Sequence, residues 1–347
     1  MNNPFSLAFG NTPYVEIDRS NVEFDIINDF NGEHSVSNAY MITGVRGSGK
    51  TVYMTNICKK LRQDKKWIVI EVSPEEDIIK QIAYKLAKDS DFGKLIVSAK
   101  IDISIFNAEV SKTTNNSTDI FSIELEKLLD LAEKKGKRVV VAIDEAVNNR
   151  YIKEFAHCFQ IYLRKDLPIY LIMTGLYENI YEIQNEKTLT FLYRTPRIEM
   201  QPLKLYKISE SYEEIFDITP EQAKKMSEMT QGYAFAYQVL GYFYFESKSD
   251  DLSKIENKYC NYLGEYVYEK IWSELSAKDR EVVTMMIEMD SKIRVKDLRD
   301  KLGVDSSKFS HYRDRLKRKG VVNLSDYGYI SFSLPYFKEF IKKAYIL

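Results

Sequence analysis

The chain has 347 residues, 44 % of them hydrophobic and 29 % charged, which is enough material for two or three globular domains with ample cores. Fifty basic side chains against 51 acidic ones leave a net charge of −1, so any attraction to nucleic acid has to be local. The three cysteines (Cys58, Cys158, Cys260) lie far apart without metal-ligand spacing, the N-terminus lacks the basic-then-apolar run of a signal peptide, and no apolar stretch approaches the ~20 residues of a membrane span. A reducing, cytoplasmic setting with no membrane partner is the expectation.

From about Asn38 to Met200, short apolar runs alternate with helical patterns, which predicts an α/β domain with a parallel sheet and helices on both faces. The first strand, Ala39–Thr43, runs into Gly44-Val45-Arg46-Gly47-Ser48-Gly49-Lys50-Thr51. Glycines at Gly44 and Gly49 open backbone conformations closed to other residues, so the N–H groups through Arg46, Gly47 and Ser48 can curl around phosphate oxygens. The helix beginning near Lys50 and continuing through Val52, Met54, Ile57 and Leu61 adds the positive end of its dipole. Lys50 is placed to reach the β- and γ-phosphates and Thr51 to ligate Mg²⁺, the arrangement of a P-loop NTPase.

Further strands are expected at Trp67–Val72, Val139–Ile143, Ile169–Met173 and Arg197–Met200, with a hairpin strand at Ile101–Phe106 ahead of an exposed polar loop, Lys112–Asp119. Val139–Ile143 is apolar on both faces, as a central strand must be. It ends in Asp144-Glu145, where Asp144 would hold Mg²⁺ and Glu145 would polarise an attacking water. After Ile169–Met173, Thr174 would sense the γ-phosphate or position water, unless Thr174-Gly175 is an ordinary turn. Arg194 or Arg197 would serve in trans as an arginine finger, against the alternative of a solvated or salt-bridged arginine.

Residues 204–264 are expected to be helical, and the aromatic stretch Gln231–Gly241 reads as core packing in what would be a small lid. Beyond them, Ser276 and Asp279 resemble a capping box before a helix bearing Val282, Met285, Met286 and Met289. A second helix stops at Gly303, a third spans about Ser306 to Lys319, and a hairpin turns at Asp326-Tyr327-Gly328. This order is that of a winged helix. Between Ser291 and Gly320 stand eleven Lys or Arg against four Asp, a surplus of seven. On a helical wheel Ser307, Ser310, His311, Asp314 and Arg318 oppose the buried Phe309, Tyr312 and Leu316, flanked by Arg315 and Lys317. Ser307, Ser310, His311, Arg315, Lys317 and Arg318 are therefore the candidate contacts to double-stranded DNA, and a protein-interaction module is the alternative. The expected domains are 1–203, 204–264 and 265–347.

The ordered set of Walker A at Gly44–Thr51, Walker B at Asp144-Glu145, a sensor-like Thr174, a helical segment and a winged helix resembles the AAA+/STAND P-loop ATPases. It is most similar to the archaeal-type ATPases related to origin-recognition and replication-initiator proteins. Asn3-Pro4-Phe5, Tyr14-Val15 and Asp18-Arg19 resemble the family's opening segment, which implies adenine contacts by Tyr14, Val15 and Arg19. The resemblance implies ATP or ADP with Mg²⁺ as cofactors, slow hydrolysis and a nucleotide-dependent grip on DNA. Residues 226–245 contain no arginine where initiators carry a second sensor, and Gly232-Tyr233-Ala234-Phe235 is closer to the Gly-x-Pro element of STAND proteins. That departure favours a switch over a ring motor. The alternative it opens is a STAND-like regulatory ATPase acting through self-association or a protein partner.

Overall fold

The computed structural model describes residues 2–8, 13–32, 35–89, 92–94, 117–247, 251–289 and 293–346. The expected strand Ile101–Phe106 and residues 112–116 of the expected polar loop lie outside them. The chain divides into two compact units, each discontinuous in sequence. One comprises Arg19–Thr43 and Lys50–Glu199, the other Met1–Asp18, Gly44–Gly49 and Met200–Leu347.

The first unit is built on five parallel strands: β1 (Ala39–Thr43), β2 (Trp67–Val72), β3 (Arg138–Ile143), β4 (Ile169–Gly175) and β5 (Arg197–Glu199), in the order β2-β3-β4-β1-β5. β3 and β4 are central because they are apolar on both faces and can be buried on both. Strand alternation sends Val139, Val141 and Ile143 into a core shared with the helices Ile78–Lys88, Ser117–Lys134 and Arg150–Arg164. Val140 and Ala142 are also buried but fall outside that core, on the opposite face. Aromatic rings crowd one end of this unit: the Phe30 and Trp67 rings each lie 4.9 Å from Tyr170, and the Tyr40 hydroxyl donates to Asp29 at 2.8 Å.

Two expectations need correction. Ser117–Asp119 are not loop but the first residues of the helix Ser117–Lys134. Thr174 and Gly175 are not a turn; they extend β4 because they pair in register with Ile42 and Thr43 of β1.

The second unit is largely helical. Its helices Leu205–Phe216, Pro220–Thr230, Ala234–Ser247 and Ser253–Leu263 bury their aromatics, Tyr212, Tyr237, Tyr244 and Tyr259 among them, in one core. Thr219 caps the second helix with Pro220 at its first position, a favoured start. The N-terminal segment joins this core through Phe5, whose ring stands where a Cβ on Gly241 would be. The Asn3 amide donates to the Tyr242 carbonyl at 3.2 Å and to Glu246 at 3.0 Å.

The same core continues through Glu269–Ser273 into Ala277–Ile287, Val295–Leu302 and Ser306–Arg318. Ser276 caps the second of these helices by accepting the Asp279 N–H, Gly303 ends the third in the left-handed region, and Asp305 caps the fourth. Strands β6 (Ile293–Arg294), β7 (Val322–Asn323) and β8 (Tyr329–Phe332) form a small antiparallel sheet in the order β6-β8-β7. The two-residue β6 is too short to leave a periodic signal in sequence, and pairing with β8 is what makes it a strand.

Candidate functional site

Open parallel sheets take ligands beyond the C-terminal ends of their strands. Here β4 lies between β1 and β3, so the ends Thr43, Gly175 and Ile143 are neighbours. The segment following β1 is shared by the two units: Gly44–Gly49 belongs with the helical unit, and Lys50 and Thr51 open the helix Lys50–Gln63 of the sheet unit.

Within the helical unit, Gly47 (φ 69°) and Gly49 (φ 89°) take the left-handed conformations that a curled loop needs. The Ser48 N–H closes a tight turn on the Val45 carbonyl at 3.2 Å. The loop is gripped by its own unit at several points. The Tyr233 hydroxyl donates to the Arg46 carbonyl at 2.6 Å, and the Phe235 N–H donates to the Gly47 carbonyl at 3.1 Å. Arg46 pairs with Glu274 at 3.3 Å, and a Cβ on Gly320 would overlap the Val45 side chain.

Within the sheet unit, the helix Lys50–Gln63 carries no acidic residue in its first turn, so no carboxylate of that turn offsets the positive end of its dipole. The Thr51 hydroxyl donates to Asp144 Oδ2 at 2.8 Å, and the buried Thr174 hydroxyl donates to Asp144 Oδ1. One carboxylate thus collects both hydroxyls. Glu145 follows with φ 52°, an uncommon backbone for a non-glycine residue, and its N–H is shared between Asp144 Oδ1 (3.0 Å) and Thr174 Oγ1 (3.3 Å). The Ala146 N–H completes the turn on the Thr174 carbonyl at 2.8 Å. Glu145 itself is exposed.

The donor chemistry suits Mg²⁺: a hydroxyl and a carboxylate within hydrogen-bond reach offer hard oxygen ligands and leave room for phosphate oxygens and water. Among the described residues no group of three or more His, Cys, Asp or Glu converges, so an all-protein metal cage is not formed by them.

The remaining candidates fall in different places. Tyr14 is almost fully exposed and Val15 packs against the helical core, its carbonyl accepting from Gln238 at 2.7 Å. Arg19 belongs to the sheet unit, at the start of the helix Ser20–Asn31. Arg194 is exposed at the end of the 3₁₀ turn Thr190–Arg194. Arg197 is held by its own unit, 4.8 Å over the Tyr177 ring and donating to the side-chain Oε1 of Gln184 at 3.3 Å.

Ser307, Ser310, His311, Lys317 and Arg318 all lie on the helix Ser306–Arg318, with Phe309 and Leu316 buried. Ser307, His311 and Lys317 are exposed, whereas the Ser310 hydroxyl is turned back onto the Ser306 carbonyl at 2.9 Å. Arg315 is engaged elsewhere: its guanidinium spans both oxygens of the buried Asp279 at 2.6 and 3.2 Å. Asp279, Tyr233, Phe235, Glu274 and Gly320 are residues that sequence reasoning did not place at either site. Of these, Tyr233 and Phe235 stood out in sequence as part of a departure from a family pattern, and Asp279 as part of a capping box with Ser276, not as a site residue.

Residues 24–230 match the family described as an ATPase domain predominantly from Archaea, well over half of the chain. The chain belongs to this ATPase family. Residues 265–341 match a domain of unknown function. The ATPase fold recurs in the Walker-type ATPase PABY2304 of Pyrococcus abyssi, at 16 % identity and a TM-score of 0.64, with 94 % of this chain and 96 % of that one covered. It recurs in the ORC2 protein of Aeropyrum pernix, solved in ADPNP–ADP complexes, at 13 % identity and a TM-score of 0.57, covering 93 % and 91 %. No curated protein matches the chain. Among the described residues no helix is long and apolar enough to cross a membrane.

Proposed function

We propose that this ATPase-family chain is a Mg²⁺-dependent, slowly hydrolysing ATP switch that couples its nucleotide state to duplex-DNA binding through a C-terminal winged helix. The observation that carries the hydrolytic part is the convergence of Thr51 and Thr174 on Asp144, with Glu145 exposed beside it. In this reading Gly44–Gly49 wraps the phosphates, Lys50 neutralises them, and Thr51 and Asp144 hold the ion, which supplies charge neutralisation for phosphoryl transfer. Glu145 accepts the proton of the attacking water, Thr174 orders the acids, and Arg194 is the exposed arginine available to a neighbouring copy. Residues 204–264 act as the lid and 265–347 as the winged helix, with Ser307, His311, Lys317 and Arg318 toward the groove and phosphates.

A second reading has one specific observation behind it. Val45 against Gly320 and Arg46 on Glu274 tie the phosphate loop to the C-terminal region itself. A regulatory ATPase that holds this region until nucleotide exchanges, and that then engages a protein partner or another copy, would use such contacts. A fluorescence-anisotropy titration of duplex DNA with ATP, with ADP and without nucleotide separates the two. Nucleotide-dependent DNA binding that weakens on Lys317→Ala with Arg318→Ala supports the first. Absence of DNA binding together with a nucleotide-dependent change in oligomeric state supports the second.

A further inference from the structure

The phosphate loop is shaped from outside by a segment almost two hundred residues away. Thr230 ends its helix, Gln231 (φ 48°) and Gly232 (φ 76°) take two consecutive left-handed conformations, and the chain re-enters a helix at Ala234. This turn is pinned: the Tyr233 N–H donates to the Thr230 carbonyl at 2.9 Å, and the Leu203 N–H donates to the Gly232 carbonyl at 2.8 Å. It delivers the Tyr233 hydroxyl to the Arg46 carbonyl and the Phe235 N–H to the Gly47 carbonyl. The latter is one of the first-turn N–H groups that a helix cannot satisfy internally, so the loop carbonyl is its natural partner.

A trans peptide is planar, with its C=O and N–H pointing in opposite directions, and no cis bond occurs among the described residues. Drawing the Arg46 carbonyl toward Tyr233 therefore turns the Gly47 N–H away from Tyr233. Burial pushes the Tyr233 phenol well above its ordinary value, so it remains a donor throughout the physiological range. Gly47 is required for a second reason besides its φ: a Cβ there would overlap the Tyr233 hydroxyl and lie 2.9 Å from Phe235 Cβ.

We infer that Tyr233 is a positioning residue for the phosphate site, holding the Arg46 carbonyl outward so that the Gly47 N–H is presented to the phosphates of a bound nucleotide. The inference rests on the nucleotide-binding reading above and adds the residue that pre-organises the loop. Phe235 contributes the second grip through its backbone.

The test is calorimetric titration of the full-length chain with Mg·ADP, and competition by inorganic pyrophosphate, for wild type and Tyr233→Phe. Loss of one hydrogen bond to the loop is expected to weaken both ligands by about tenfold and by a similar factor, because only phosphate contacts are affected. Amide hydrogen exchange should accelerate in peptides covering 44–49 while peptides covering 236–247 stay unchanged, a pattern that general loosening of the core would not give. Equal ADP affinity in wild type and Tyr233→Phe overturns the inference. If wild type itself does not bind ADP, the nucleotide reading falls and takes this one with it. Should Tyr233→Phe not fold, Phe235→Pro, which deletes the other donor at a helical position that accepts proline, is expected to weaken ADP likewise; unchanged affinity in the folded variant is again contrary.

Discussion

Asp144 and its neighbours show how single residues are held ready for chemistry. Glu145 sits in the left-handed region, which costs a non-glycine residue about 1 kcal/mol or more. The bonds from its N–H to Asp144 and Thr174 offset that cost and fix where its side chain starts. Glu145→Gln keeps the backbone donor and the side-chain shape but removes the carboxylate proposed as base; on that proposal steady-state turnover should fall by about 100-fold or more while ADP affinity is retained. Equal rates would remove Glu145 from catalysis. Thr174→Val deletes the hydroxyl that joins Asp144 to the Glu145 N–H, so Mg²⁺-dependent ADP affinity should drop several-fold, with recovery in Thr174→Ser.

Arg315 is a different case. Asp279 is buried and its carboxylate is met by Arg315 and by the Ser276 hydroxyl at 2.7 Å. Removing the arginine leaves a buried carboxylate short of its charge partner, so Arg315→Ala should destabilise this unit by about 3 kcal/mol in urea unfolding. A loss of DNA binding in that variant would accordingly report unfolding, not phosphate contact.

The helix Ser306–Arg318 illustrates what an element adds to its residues. Its sequence surplus of positive charge is partly spent inside the protein: Arg313 on Asp314 at 3.3 Å, Lys308 near Asp305 at 4.0 Å and Arg315 on Asp279. Lys317 and Arg318, at its C-terminal end, are the positions at which phosphate contact is tested. If they meet DNA, Lys317→Ala with Arg318→Ala should reduce the slope of log K against log salt by about 2, and an unchanged slope excludes them. The turn that follows this helix faces Val45 through Gly320 (φ 66°). The exposed Arg46–Glu274 pair contributes little by itself, about 0–1 kcal/mol. The close packing at Gly320 is thus the stronger element-level constraint on the loop.

On the scale of the whole molecule, each unit carries a cysteine whose thiol can report on it: Cys58, buried in the sheet unit, and Cys260, half-buried in the helical unit. Burial, reinforced by Glu71, pushes Cys58 from its ordinary 9.0 up to about 12 in the sheet unit; burial, with Glu256, does the same to Cys260 in the helical unit. Native thiols that stay protonated while unfolded ones ionise make folding less favourable as pH rises from about 9 toward 12. Stability should therefore decline across that window. Pulsed alkylation at pH 8 along a urea series should label the buried Cys58 only as the sheet unit opens, and early labelling of Cys58 without unfolding of that unit would contradict its burial.

The parts that were legible in sequence are those in which neighbours along the chain decide the outcome. β1 and β2 match their expected bounds because an apolar run bounded by turn residues has few other uses, and the phosphate loop is a contiguous motif whose glycines and helix start are local. What only the tertiary structure decided are the partnerships between distant positions: Thr174 with Asp144, Arg315 with Asp279, Phe5 with Gly241, and Tyr233 and Gly320 with the loop. No periodicity encodes which hydroxyl meets which carboxylate, since that depends on strand order and on how helices stack. The left-handed turn at Glu145 belongs with these, because its local cost is accepted only where contacts made by another strand hold it.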